Sequence, residues 1–366
     1  MKKMLEINPP LNSICPYFTM FPLSFPLGIL SRHGTYNDVV LDPFAGRGTT
    51  LYAARMMGLS AFGIDSNPVA AAISNSKLVN TTPERVIRAA KQILSTKGRP
   101  KDVPVGDFWT LAYEKMTLIQ LCKLREVLMD NCDSDSRRGL MGILLGSLHG
   151  PRNKIELSYF SNQCPRTFAP KPKYATKYWQ ERGLLPPKVD VLSIVERRAQ
   201  QVFGEEQTIA NGRTARGDSR RLTTFQFVDP PNWIITSPPY YGMRTYVPDQ
   251  WLRNWFVGGA AKVDYSIDGQ LQHTSQGRFA NELRDVWVNC ASVAKTGCRL
   301  VIRFGAINDR RIDHKQLIRR SLEGTGWRIT YIKKAGNASS GKRQSAQFGD
   351  SSASAIEELD VWAKLG

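Results

Sequence analysis

Nothing in the 366 residues approaches the run of roughly 20 apolar side chains that a spanning helix needs. The basic start breaks at Pro9 and Pro10 before the apolar core of a signal peptide can form. No membrane partner is therefore expected, and a cytoplasmic location is. The six cysteines (Cys15, Cys122, Cys132, Cys164, Cys290, Cys298) form no C-x-x-C pair. Scattered through a chain too large to need stapling, they read as reduced thiols of a cytosol. The four histidines are equally dispersed, no metal-ligand spacing appears, and no metal is expected. No glycine loop is followed by Gly-Lys-Ser/Thr, which excludes a phosphate-cradling P-loop.

What is present points another way. A hydrophobic share of 42% is that of a chain with a real core. Lys and Arg outnumber Asp and Glu by 50 to 32, a formal charge of +18. So basic a balance favours a polyanionic partner, nucleic acid first; a basic surface kept for solubility is the plainer alternative.

Residues 38–65 alternate as an α/β unit. A short apolar run stops at Asp42-Pro43, a loop with Gly46 and Gly48 follows, and Thr49–Met57 reads as a helix closed by Gly58. The next apolar run ends in Asp65, and Asn67-Pro68 looks like an N-cap and first-turn proline opening a helix to Lys77. This is half of a doubly wound fold. The alternation returns near Gly217-Asp218 and continues through strands at 233–236, 299–304, 327–332 and 357–363, with helices at 278–294 and 314–323. Between the last two strands lies a basic, Gly/Ser/Ala-rich loop, 333–355, too polar to pack.

Residues 81–210 interrupt this pattern as a mostly helical insertion, with helices expected at 84–95, 114–130 and 189–202. The segment 149–188 holds too many prolines for regular elements and too many aromatics for a flexible linker. Within 151–225 there are 14 Lys/Arg against 7 Asp/Glu, interleaved with Tyr159, Phe160, Phe168, Tyr174, Tyr178 and Trp179. Basic groups that hold phosphates beside aromatics that read or wedge bases suit nucleic-acid contact. A structural cap over the sheet is the competing explanation. His149, in the same region, reads as a residue satisfying a local hydrogen bond.

Two stretches carry chemistry. In Asp42-Pro43-Phe44-Ala45-Gly46-Arg47-Gly48-Thr49-Thr50, glycines without Cβ let the backbone approach a ligand. Asp65, at the end of the second strand, suits the two hydroxyls of a ribose. In Ser237-Pro238-Pro239-Tyr240, consecutive prolines after a buried strand leave carbonyls without internal partners, free to accept from an amine. Ser237 adds an acceptor, and Tyr240 adds a face on which a base can stack. Taken singly, each stretch also fits a ligand-free turn or a proline-ended strand.

Together the two stretches resemble the amino-methyltransferase family of DNA modification enzymes, over the whole α/β part of the chain. D-P-F-A-G-R-G-T-T is similar to that family's cofactor loop. S-P-P-Y is similar to its catalytic tetrapeptide, in the serine form associated with the N4 of cytosine; Asp or Asn is commoner where the target is the N6 of adenine. Y-F-T-M-F-P-L-S-F-P-L-G-I-L stands where the family has its methionine-side cofactor segment. The resemblance implies a Rossmann-like, seven-stranded class I methyltransferase sheet with a reversed last strand, built from 1–80 and 211–366. Residues 81–210 would then be a target-recognition region, although the family's usual orders place that region later in the chain.

S-adenosylmethionine is the implied cofactor, held by Asp42, Pro43, Phe44, Ala45, Gly46, Gly48 and Thr49 at its methionine end. Asp65 and Ser66 would meet its ribose, and Asp218 its adenine. Ser237 and the Pro238 carbonyl would accept from the target amine, Pro239 would fix the turn, and Tyr240 would stack on the base. Arg152, Lys154, Arg166, Lys171, Lys173, Lys177 and Arg244 are the expected nucleic-acid contacts. The expected partner is double-stranded DNA, together with a cognate restriction nuclease or defence-system subunits. Adenine N6, an RNA base, a small-molecule acceptor and a non-catalytic nucleic-acid binder remain open beside the cytosine reading.

Overall fold

The expected runs become the strands β1 (Val39–Asp42), β2 (Ser60–Asp65), β4 (Trp233–Thr236), β5 (Arg299–Gly305), β6 (Trp327–Asn337) and β7 (Glu357–Leu365), and the polar stretch before Gly217 adds an edge strand, β3 (Asn211–Arg216). They form one seven-stranded sheet in the order β3-β2-β1-β4-β5-β7-β6. The first five pair in parallel, and β7 runs antiparallel to both β5 and β6. This is the class I arrangement with its reversed last strand. A computed structural model describes residues 9–16, 21–152, 158–165, 167–242, 248–263, 265, 271–305, 313–337 and 357–366. Lys154, Arg166, Arg244, Tyr17–Met20 and loop residues 338–356 lie outside the described residues.

Helices cover both faces of the sheet. On one side α1 (Ser24–His33) and α2 (Thr49–Met56) bury Phe25, Leu30, Leu51 and Ala54 against Val40, Ile235 and Val301. On the other, α11 (Gln276–Val293) and α12 (His314–Leu322) bury Phe279, Leu283, Trp287 and Ile318 against Leu41, Ile234, Leu300 and Ile302. The alternation along β5, with Val301 on one face and Leu300 and Ile302 on the other, is the period of a strand buried on both sides.

After α3 (Pro68–Ser76), the chain makes α4 (Pro83–Ser95), α5 (Asp107–Ala112), α6 (Lys115–Asp130), α7 (Asp135–Ser147), α8 (Pro172–Glu181) and α9 (Val191–Phe203) before β3. These helices share a core of their own, which also takes in Val69 and Ile73 of α3 and Leu11 and Ile14 of the N-terminal turn. Trp251 and Trp255 of α10 (Trp251–Phe256) complete it. The proline-rich stretch 149–188 is not free of regular structure: α8 lies within it. Pro172 sits in the first turn, where its missing N–H costs nothing, so the proline starts this helix rather than breaking it.

Candidate active site

The strand order reverses between β1 and β4, so the loops leaving these two neighbours diverge and leave a crevice at their carboxyl ends. The glycine loop follows β1, Ser237–Tyr240 follows β4, and Asp65 ends β2 on the far side of β1. Three segments far apart in the chain thus meet at one edge.

Asp65 is fixed by two amides: its Oδ2 accepts from the N–H of Gly46 at 2.8 Å and its Oδ1 from that of Asn67 at 2.8 Å. Ser66, between Asp65 and Asn67, is half-buried. The Ala45 amide donates to the carbonyl of Ile64 at 2.9 Å, tying the loop to β2. Asn67 caps α3 through its side chain, which accepts from Val69, and Pro68 opens the helix.

The two glycines serve different ends. Both have positive φ, 51° at Gly46 and 75° at Gly48. A Cβ on Gly48 would stand 2.8 Å from Cβ of Ser74, so this glycine lets α2 and α3 close on each other. A Cβ on Gly46 would meet nothing nearer than the Phe44 carbonyl at 3.9 Å. Among the described residues the space beside Gly46 is therefore clear, as the resemblance to a cofactor loop requires. Gly48→Ala is expected to cost about 2–3 kcal/mol of stability through strain and overpacking. Gly46→Ala is expected to cost about 1 kcal/mol while weakening cofactor binding. Thermal unfolding, with and without cofactor, separates the two.

Asp42 is buried, 1% exposed; its Oδ1 accepts from the Phe44 amide at 3.0 Å and from Thr236 Oγ1 at 2.6 Å, while Oδ2 has no hydrogen-bond partner among the described residues. Burial pushes Asp42 up to about 6 against the pull of Thr236, Thr50 and the Phe44 amide. Burial likewise pushes Asp65 up to about 6 against the pull of the Asn67 and Gly46 amides. An acid raised by folding binds its proton more tightly in the folded state. Its stabilising effect is complete below the unfolded value of 3.8 and is lost as pH rises through 6. Ribose hydroxyls held by Asp65, as the resemblance implies, would need the ionised form. Cofactor affinity is therefore expected to fall roughly tenfold between about pH 7 and pH 5, where titration calorimetry can follow it.

At the end of β4, Ser237 is half-buried and Pro238 buried. Tyr240 is 7% exposed: its hydroxyl donates to Glu358 Oε1 at 2.7 Å, and its ring meets Phe304 edge-on at 5.8 Å. Pro43 and Ala45 are buried in the loop, Thr49 starts α2, and Phe44 meets Trp287 edge-on at 6.1 Å. Asp218 lies just beyond β3, where the Gly217 amide donates to the Asp65 carbonyl at 3.0 Å. Both its oxygens accept from Arg220, at 2.9 and 2.7 Å, and Arg220 also reaches Glu282 at 3.0 Å. Burial would raise Asp218, but these bonds outweigh it and hold the carboxyl below its ordinary range.

The basic positions lie elsewhere. Arg152 is exposed, and Lys171, Lys173 and Lys177 are exposed at and along α8, beside Tyr174, which is 55% exposed. Phe160 and Trp179 of the same stretch are fully buried, as in a packed cap. His149 is buried, its Nδ1 paired with the Ser161 hydroxyl at 2.7 Å; burial pushes it down to about 3, so it stays neutral.

Several residues at this edge are not evident from the sequence. Thr236 closes an otherwise apolar strand, and a polar residue at that place is the signal that was there to read. Ser219 donates to the Pro43 carbonyl at 2.6 Å, fastening the loop from outside. Arg47, between the two glycines, turns away from the crevice: it is buried and donates to the carbonyl of Asn12. Lys77, Arg198 and Arg253 converge on the same turn, donating to Asn12 Oδ1 at 3.0 Å, the Ile14 carbonyl at 2.9 Å and the Pro16 carbonyl at 2.6 Å. This clamp fixes the segment that leads into Tyr17–Met20.

Comparison with known proteins bears on the same segment. Residues 6–76 match the family model of the N6/N4 methyltransferases, described as DNA methylase. The Type II methyltransferase M.MjaII of Methanocaldococcus jannaschii is 37% identical over 67 residues, 18% of this chain. The match spans 13% of that protein's length. Among solved structures, the rRNA methyltransferase aviRa from Streptomyces viridochromogenes superposes with a TM-score of 0.39 and 13% identity, over 99% of this chain and 92% of that one. TrmN from Thermus thermophilus gives a TM-score of 0.35 and 11% identity, over 94% and 49%. Over residues 6–76, the stretch that carries the glycine loop and Asp65, the chain is thus similar to the N6/N4 DNA methylases, whose methyl donor is S-adenosylmethionine.

Proposed function

We propose that the chain is a DNA methyltransferase that methylates the exocyclic N4 amine of cytosine in a base flipped out of the duplex. One observation carries this reading. The 2.6 Å hydrogen bond from Thr236 to Asp42 joins the strand end bearing Ser237-Pro238 to the loop that faces the cofactor. Amine acceptors and cofactor loop therefore share one crevice.

S-adenosylmethionine supplies an electrophilic methyl group when bound. The chain's own work is placement and polarisation. An exocyclic amine is a poor nucleophile because its lone pair is delocalised into the ring. Ser237 and the Pro238 carbonyl accept hydrogen bonds from its N–H groups, raise the electron density on nitrogen and aim the lone pair into the crevice. There the N–C bond would form as the sulfur–methyl bond breaks and the neutral thioether leaves, the surplus amine proton passing to solvent. Holding two reactants in line supplies most of the acceleration. No covalent enzyme intermediate is required, and the base must leave the stack to reach so recessed a site.

The serine of Ser237-Pro238-Pro239-Tyr240 supports cytosine as the target. The helical insertion, with Arg152, Lys171, Lys173 and Lys177 exposed, is assigned to target recognition, and double-stranded DNA is the partner. Methyl transfer from labelled cofactor to mixed-sequence DNA tests the reaction. The log of DNA affinity should fall linearly with the log of salt concentration. Affinity for the acceptor that ignores salt would favour a small molecule instead.

A further inference from the structure

A second cleft, of about 420 Å³, opens on the α1 face of the sheet. None of its lining residues belongs to the glycine loop, to Asp65 or to Ser237–Tyr240. α1 covers β1, β4 and β5, and beyond it Arg303, Asp360, Trp362 and Tyr331 form the floor.

Two cross-strand rows build that floor. In the first, Arg303 of β5 faces Asp360 of β7, which faces Lys333 of β6. Arg303 donates to both Asp360 oxygens, at 2.8 and 3.0 Å, with its guanidinium 3.7 Å over the Phe25 ring. The single acid lining the cleft among the described residues is thus engaged, while Arg32, His33 and Lys333 stand beside it, all exposed. In the second row Tyr331 faces Trp362, ring on ring at 5.2 Å and 19°, and Tyr331 is 48% exposed. A bulge between Ile329 and Tyr331 places it there. Without the extra residue Thr330 would face Trp362, and Tyr331 would point to the opposite side. The bulge shows an aromatic face beside the cations Arg32 and Lys333.

An aromatic platform with a cationic rim recognises a nucleotide, base on ring and phosphate on the rim. The position favours a strand over a free nucleotide. Asp360 is two residues along β7 from Glu358, which holds the Tyr240 hydroxyl, so the cleft begins beside the catalytic edge. We propose that it holds one unpaired nucleotide of the nucleic-acid strand next to the target, stacked on Tyr331 with its phosphate between Arg32 and Lys333. This rests on the reading of nucleic acid as the substrate.

The test is fluorescence anisotropy of a short labelled oligodeoxythymidine with the full chain. Tyr331→Ala is expected to bind about tenfold more weakly, Tyr331→Phe like wild type, and Lys333→Glu more weakly with a shallower salt dependence. Cofactor binding should be unchanged in all three. Equal binding by wild type, Tyr331→Ala and Lys333→Glu overturns the inference and leaves the methyl-transfer reading standing. Competition by micromolar adenosine monophosphate also overturns it, in favour of a free nucleotide. No binding of any DNA by wild type at low salt overturns both.

Discussion

Ser237→Ala should lower methyl transfer by on the order of a hundredfold or more, while cofactor affinity stays within about twofold of wild type. The side chain is half-buried at the end of β4, one residue beyond Thr236, whose hydroxyl is taken by Asp42. Its expected contact with the amine matters most as charge builds on nitrogen, so its loss should act on the rate and not on cofactor binding. Single-turnover kinetics with labelled cofactor reads the first quantity and calorimetry the second. Unchanged turnover removes Ser237 from the site; lost cofactor binding moves it to the cofactor's side of the crevice.

Asp65→Ala should weaken the cofactor by on the order of a hundredfold, because two hydroxyls lose a charged acceptor, each such bond contributing roughly 1.5–3 kcal/mol. The amides of Gly46 and Asn67 lose their acceptor too, so the loop itself loosens. Asp65→Asn keeps an acceptor for one of those amides and sets its NH2 against the other, so it should recover part of the stability but little of the affinity. DNA affinity at fixed salt should not change in either variant. A loss confined to DNA binding would mean that Asp65 faces the nucleic acid and not the ribose.

Local signals carried the sequence reading far. Asn67-Pro68 does open α3 with the side chain as cap, and the apolar runs at 39–42, 60–65 and 233–236 do become neighbouring strands, because such runs can be buried only in a covered sheet. Less legible was whatever depends on distant partners. The Thr236–Asp42 and Tyr240–Glu358 bonds join residues 194 and 118 positions apart, and no local pattern announces them. α7 was hidden by its glycines. Gly142 and Gly146 weaken the helical signal, yet each lies where a Cβ would strike, 2.5 Å from Ser76 and 2.2 Å from the Ile14 carbonyl. Close packing against α3 and the N-terminal turn chose them. Tyr331 faces the second cleft because of a bulge, and one extra residue in a strand leaves no periodic trace.

The most direct test of the central claim is to incubate the protein with mixed-sequence double-stranded DNA and labelled S-adenosylmethionine, digest the product and identify the labelled nucleoside. N4-methylcytosine is the expected product. N6-methyladenine would keep the crevice and the chemistry of the amine but contradict the reading of Ser237. DNA that is bound yet unlabelled, across sequences covering every short target, would contradict the account of this crevice as a site of methyl transfer.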